Sequence, residues 1–281
     1  MAVEIINSPE ESTVNDSKKF TGVIPYKVIA INPTKDELHE LGLTYVKSEP
    51  VYQRVFDNDG DERKSTIIDV WLKSVPTPKN PDLDTTVKLT FFINNDPFVS
   101  ASTGKSQYVN KYGRTAWATD PSGLNNNPYF INEDSRPAYR GEEDLYKFLF
   151  SWLNMTYDMD RKIFNPCRVD VTKLFRGDYS ELQAIVIQAS AYTVKVLTGV
   201  RRVEDENGNI RYYPTTYNKY FLKHNQRSTD TIEKYINKDE YNAFKDAYYY
   251  TYKIQEFDAS EIPDEEPTKN PSISVGGNDP F

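Results

Sequence analysis

The chain has 281 residues, a formal net charge of −8, 38% hydrophobic and 14% aromatic residues, 21 tyrosines and a single cysteine. That length supports one large domain or two small ones with a proper core. One cysteine excludes an intrachain disulfide, and Cys167, His39 and His224 are too few and too scattered for a structural zinc site.

Residues 1–19 are polar and aperiodic, and are expected to form a flexible arm. They lack the basic and apolar regions of a signal peptide, and no apolar run approaches the roughly 20 residues that span a bilayer. A soluble protein in a reducing compartment is the expectation.

Tyr26 to Ile31 has the composition of a strand, stopped at Asn32-Pro33 because proline cannot continue a ladder. Thr34 and Glu37 have capping-box spacing for a short helix through Leu41, ended by Gly42. Val51 to Phe56 and Thr66 to Lys73 flank the turn residues 57–60, as in a hairpin. Thr86 to Ile93 alternates, with Val87, Leu89, Phe91 and Ile93 on one side. A strand-and-loop segment is expected over Phe98 to Ala118, and a loop over Asn125 to Pro137.

Glu142 to Met155 carries Leu145, Phe148, Leu149 and Trp152 at helical spacing, with Glu142, Glu143 and Asp144 where the helix dipole favours negative charge. Leu182 to Gln188 and Tyr192 to Thr198 are expected strands. A long hairpin follows, with Glu206 to Asn209 at its tip, and Ser228 to Ile254 has a helical stripe. The domain organisation is thus an arm over 1–19, a body over 20–254 and a Pro-rich acidic tail over 255–281. The body is expected to be mainly β with helical insertions (α+β), an OB-fold-like Greek-key barrel elaborated by two or three helices.

Charge is unevenly placed. Seven acidic residues and Lys269 give residues 255–281 a charge of −6, leaving −2 on the rest. Two windows of the body are basic, free of acids and rich in rings. Residues 104–117 hold Lys105, Lys111 and Arg114 with Tyr108, Tyr112 and Trp117. Residues 211–227 hold Arg211, Lys219, Lys223 and Arg227 with Tyr212, Tyr213 and Tyr217, and Arg201 and Arg202 lie across the hairpin. Cations follow phosphates, and exposed rings stack on unpaired bases. Any one of these rings can equally pack in a core. Together the windows point to single-stranded nucleic acid, with Gly104 and Gly113 allowing close backbone approach.

The tail ends Asp279-Pro280-Phe281, an apolar anchor beside carboxylates that suits a partner pocket with a basic rim. No Gly-x-x-x-x-Gly-Lys-Ser/Thr run is present; Gly104-Lys105-Ser106 matches only its end. Asp158 and Asp160 are an isolated acidic pair. Neither catalysis nor a cofactor is expected.

The tail resembles those of bacterial and phage single-stranded DNA-binding proteins, which are acidic and end in phenylalanine. The body resembles the single-stranded DNA-binding proteins of tailed phages, including those of gut Bacteroides. The stretches that carry this are Val28 to Thr34 with Glu37-Leu38, Asp69 to Leu72, Gly104 to Asn110 with Thr115 to Ala118, and Arg140 to Leu145. They are scattered over roughly residues 20–190. The resemblance implies DNA replication or recombination in the cytoplasm of an infected bacterial host, with replication proteins recruited through Asp279, Pro280 and Phe281. Two departures stand out: Ser272 to Asn278 is uncharged, and the zinc-binding cysteines of some phage relatives are absent. The alternative expectation is a β-rich virion structural or assembly protein.

Overall fold

A computed structural model describes residues 22–58, 61–78, 81–131, 134–153, 169–204, 208 and 210–223. The expected N-terminal arm, the helix over 228–254, the acidic tail, Cys167, His224 and the Asp158–Asp160 pair lie outside the described residues.

The described chain is mainly β with a few helices. Six strands form one antiparallel sheet: β1 (Gly22–Ile31), β2 (Gln53–Asn58), β3 (Asp61–Ser74), β4 (Thr86–Asn94), β8 (Thr193–Glu204) and β9 (Ile210–Lys223). The order is β2-β3-β1-β8-β9, with β4 also on β3. The length of β3 explains this branching. Its first half pairs with β2 from Asp61 to Thr66, its second with β1 from Val70 to Ser74, and β4 runs along the opposite edge from Ser65 to Lys73. Register shifts at Val28/Ala30 and Val196/Thr198 bend the ladders.

Curling brings β4 towards β9, but no ladder joins them among the described residues, so the barrel is not closed. Rings fill the seam instead. Phe91 and Phe221 have centroids 6.2 Å apart, and Phe148 of helix α2 (Glu142–Trp152) stands 5.6 Å from the first and 5.3 Å from the second. The helix therefore wedges into the seam by the apolar stripe its sequence displays. Leu145, Phe148, Leu149 and Trp152 are all fully buried. Burial of each such side chain contributes about 1.5–3 kcal/mol.

Local sequence explains most elements. In β4 the alternation is realised, with Val87, Leu89, Phe91 and Ile93 inward. Helix α1 (Lys35–Glu40) carries both hydrogen bonds of the capping box: Thr34 Oγ1 accepts from Glu37 N, and Glu37 Oε2 accepts from Thr34 N. Gly42, at φ +82°, ends it.

Residues 182–188, expected as a strand, belong instead to helix α4 (Ser180–Gln188). Its centre, Ala184 to Ile187, is an unbroken apolar run, so its periodicity cannot separate strand from helix. The entry decides it: the Asp178 carboxylate accepts from the Ser180 amide and hydroxyl, fixing a helical start. A short helix α3 (Val171–Leu174) precedes it, with Asp170 accepting from Thr172 N.

Between β4 and α2 the chain inserts a second sheet, of order β6-β5-β7: β5 (Ser106–Asn110), β6 (Thr115–Ala118) and β7 (Ser135–Pro137). The last strand falls within the stretch expected to be loop. Glu142 ties this sheet to α2. Its fully buried carboxylate takes two bonds from Arg136, at 2.7 and 2.9 Å, one from Tyr139 N and one from the Tyr146 hydroxyl.

Candidate nucleic-acid interface

The first basic–aromatic window is the β5–β6 hairpin. Asn110 organises its turn: the side-chain oxygen accepts from Tyr112 N and Arg114 N, both at 3.0 Å, and the amide donates to Tyr129 O at 2.6 Å. Gly113 supplies the turn with φ +79°. Gly104 adopts φ +66°, a conformation that favours glycine, with nothing within 4 Å of an added Cβ.

The hairpin sorts the rings by side. Tyr108 and Ala116 are cross-strand partners, and their face meets Ala118, Leu124 and Phe130 in a small core. Tyr108 retains 7% exposure. Its expected role in stacking on a base is therefore corrected: it is a packing residue. Trp117 pairs with Gln107 on the other face and is 41% exposed. Its ring meets Phe98 edge-on at 4.9 Å, and the Arg140 guanidinium lies 5.1 Å from the Phe98 ring. Arg140 is exposed and Phe98 half-buried. Phe92, 39% exposed, sits on β4, and its carbonyl lies beneath Gly141, next to Arg140.

Cations at the turn are also laid on rings. Lys111 is exposed, with Nζ 5.0 Å from the Tyr112 ring centre. Arg114 stands 4.3 Å over Tyr129 and 5.8 Å from Phe150. Such contacts hold a flexible cation in place without neutralising it. Lys105 is exposed in the turn before β5.

The second window lies along β8 and β9. The register pairs Arg201 with Tyr213, Arg202 with Tyr212, and Val203 with Arg211. Tyr217 and Lys219 lie further along β9; the side chains of all these residues fall outside the described set. The far end of β9 does meet the first window. Burial and then the charge of Arg114 hold Lys223 below the ordinary lysine value. Arg211 is twelve residues from that end, up to about 40 Å along an extended strand. Among the described residues the two windows meet at the end of β9, where Lys223 faces Arg114.

A cleft of about 210 Å³ opens beside the hairpin turn, between Arg114, Asn127, Tyr129, Glu143 and Phe150. Glu143 is held by Gln107 Nε2, at 2.6 Å from Oε2, and by Lys147 Nζ, at 2.8 Å from Oε1. Partial burial pushes its pKa up, and these two partners outweigh that and bring it below the usual glutamate value.

Phe98, Arg140, Tyr129 and Phe150 are absent from the sequence-derived set. Phe98 lies just outside the first window, and its partners come from 19 and 42 residues further on, so no local pattern links them. His39 places Nε2 2.6 Å from Val46 O. Among the described residues no group of three or more His, Cys, Asp or Glu could hold a metal, and no helix is long and apolar enough to cross a membrane. Asp279, Pro280 and Phe281 lie outside the described residues. No protein-family model, curated protein or solved structure matches the chain.

Proposed function

We propose that this protein binds single-stranded DNA, without catalysis, during phage replication or recombination in an infected bacterial host. The observation that carries this reading is the exposed Trp117, set edge-on against Phe98 with the exposed Arg140 on the Phe98 ring, on a hairpin whose turn carries Lys111 and Arg114. An exposed tryptophan, backed edge-on by a second ring on a hairpin that carries cations, meets both needs of single-strand binding. The ring stacks on a base at about 1–3 kcal/mol, and the cations release counterions from phosphates.

An OB-like barrel is part of the proposal. Its support is the strand order β4-β3-β1-β8-β9, with a helix inserted between β4 and β8 and packed in the open seam. That order suits a partly open five-stranded Greek-key barrel, whose second and third strands and fourth-to-fifth loop serve nucleic acids. Here these are β3, β4 and the β8–β9 tip. Phe92 and the Arg201–Tyr213 and Arg202–Tyr212 pairs belong to those elements. The acidic residues 255–281 remain, on sequence grounds, the proposed recruiter of replication proteins through Asp279, Pro280 and Phe281.

Titrating fluorescently labelled dT oligomer and duplex of equal length at several salt concentrations tests the function. The strand should bind more tightly than the duplex, and binding should weaken as salt rises. Equal affinity for both, or no binding at low salt, contradicts it.

A further inference from the structure

We infer that the cleft beside the β5–β6 turn takes one unstacked base from the strand and favours guanine there. The inference rests on the single-strand reading above and adds a base preference to it. A volume of about 210 Å³ lies below that of a drug-sized pocket and suits a single planar ring system.

The wall is built for stacking. The Arg114 guanidinium lies 4.3 Å from the Tyr129 ring and 5.8 Å from the Phe150 ring, and bases stack on rings and on guanidinium planes alike. The wall is also held in position. Asn110, fully buried, bonds Arg114 N on one side of the cleft and Tyr129 O on the other. It is a positioning residue for both.

The polar edge of the cleft supplies the preference. An ionised carboxylate only accepts, with about four lone-pair positions. Gln107 and Lys147 each take one oxygen of Glu143, which fixes the carboxylate plane and leaves acceptor capacity on both oxygens. Guanine presents two adjacent donors, its ring N–H and its amino group, to such a pair. Adenine and cytosine offer an amino group beside an acceptor. Thymine offers one N–H between two carbonyl oxygens, which a carboxylate repels. A bidentate match of this kind discriminates between bases by about tenfold.

The test uses the full chain and two labelled oligomers, all-dT and the same length with one central dG. The dG strand should bind about tenfold more tightly. Glu143→Gln should erase that difference in a protein that thermal melting shows to be folded. Arg114→Ala should lower dG affinity more than dT affinity. Equal binding of the two strands by wild type, or a preference that survives Glu143→Gln in a folded protein, overturns the inference and leaves single-strand binding standing. If neither strand binds, the functional reading fails, and free dGMP against dTMP decides the cleft by itself. Thermal stabilisation by dGMP alone upholds the pocket, and a shift with neither or with both overturns it.

Discussion

The two sheets place their rings differently. In the six-stranded sheet Phe91 of β4 and Phe221 of β9 turn towards helix α2 and meet its Phe148, and Phe91, Phe148 and Trp152 are buried. In the three-stranded sheet only Tyr108 turns inward, while Trp117 faces solvent beside Phe98 and Arg140. Both sheets alternate with the same period of two. What differs is that, among the described residues, no helix covers all of the small sheet's second face, and Arg140 lies on the Phe98 ring that meets Trp117. The large sheet holds the molecule together, and the small sheet presents chemistry.

Mutations should separate these roles. Phe148→Ala, in the seam, should cost about 3–5 kcal/mol of stability in a denaturant titration. Folded protein that survives should bind DNA normally; a selective binding loss would mean that the seam itself touches the strand.

Gly141→Ala tests the joint between the sheets. Its φ is +94°, and an added Cβ would lie 1.8 Å from the Phe92 carbonyl oxygen, which cannot yield without moving β4. The expected loss is about 2–3 kcal/mol. Because Arg140 precedes this glycine, DNA affinity should also fall, by more than the loss of folded protein accounts for. Wild-type stability in this variant would show that the joint is slack.

The joint marks how far the sequence could be read. The alternation of β4 and the capping box of α1 were legible because each depends on neighbours a few residues apart. The strand expected at 182–188 failed because an apolar run has no polar face to reveal its period, and the deciding hydrogen bonds lie at Asp178. The first window was legible as composition. Its two faces were not, since a ring at Tyr108 and one at Trp117 look alike until the register assigns them opposite sides. Phe98 and Arg140 were invisible for a different reason: they reach Trp117 through pairings between distant segments.

Smaller effects test the turn. Lys111→Ala should leave stability unchanged and lower the salt slope of single-strand affinity by about 0.7, the value for one phosphate contact. An unaltered slope would place Lys111 away from the strand. Lys223 supplies a pH test. Burial and Arg114 disfavour its charged form, so it gives up its proton at lower pH than an ordinary lysine. Affinity should therefore fall as pH rises on the alkaline side, before ordinary lysines titrate. Lys223→Arg, which stays charged there, should remove that early fall. If the fall persists in this variant, another group is responsible.

The central claim is that Trp117 is exposed for stacking rather than for packing. Trp117→Ala, followed by anisotropy of a labelled dT oligomer and by thermal melting of the same sample, tests it most directly. The account predicts affinity reduced by about 1–3 kcal/mol with a melting temperature close to wild type. Unchanged affinity, or a loss matched by unfolding, would contradict it.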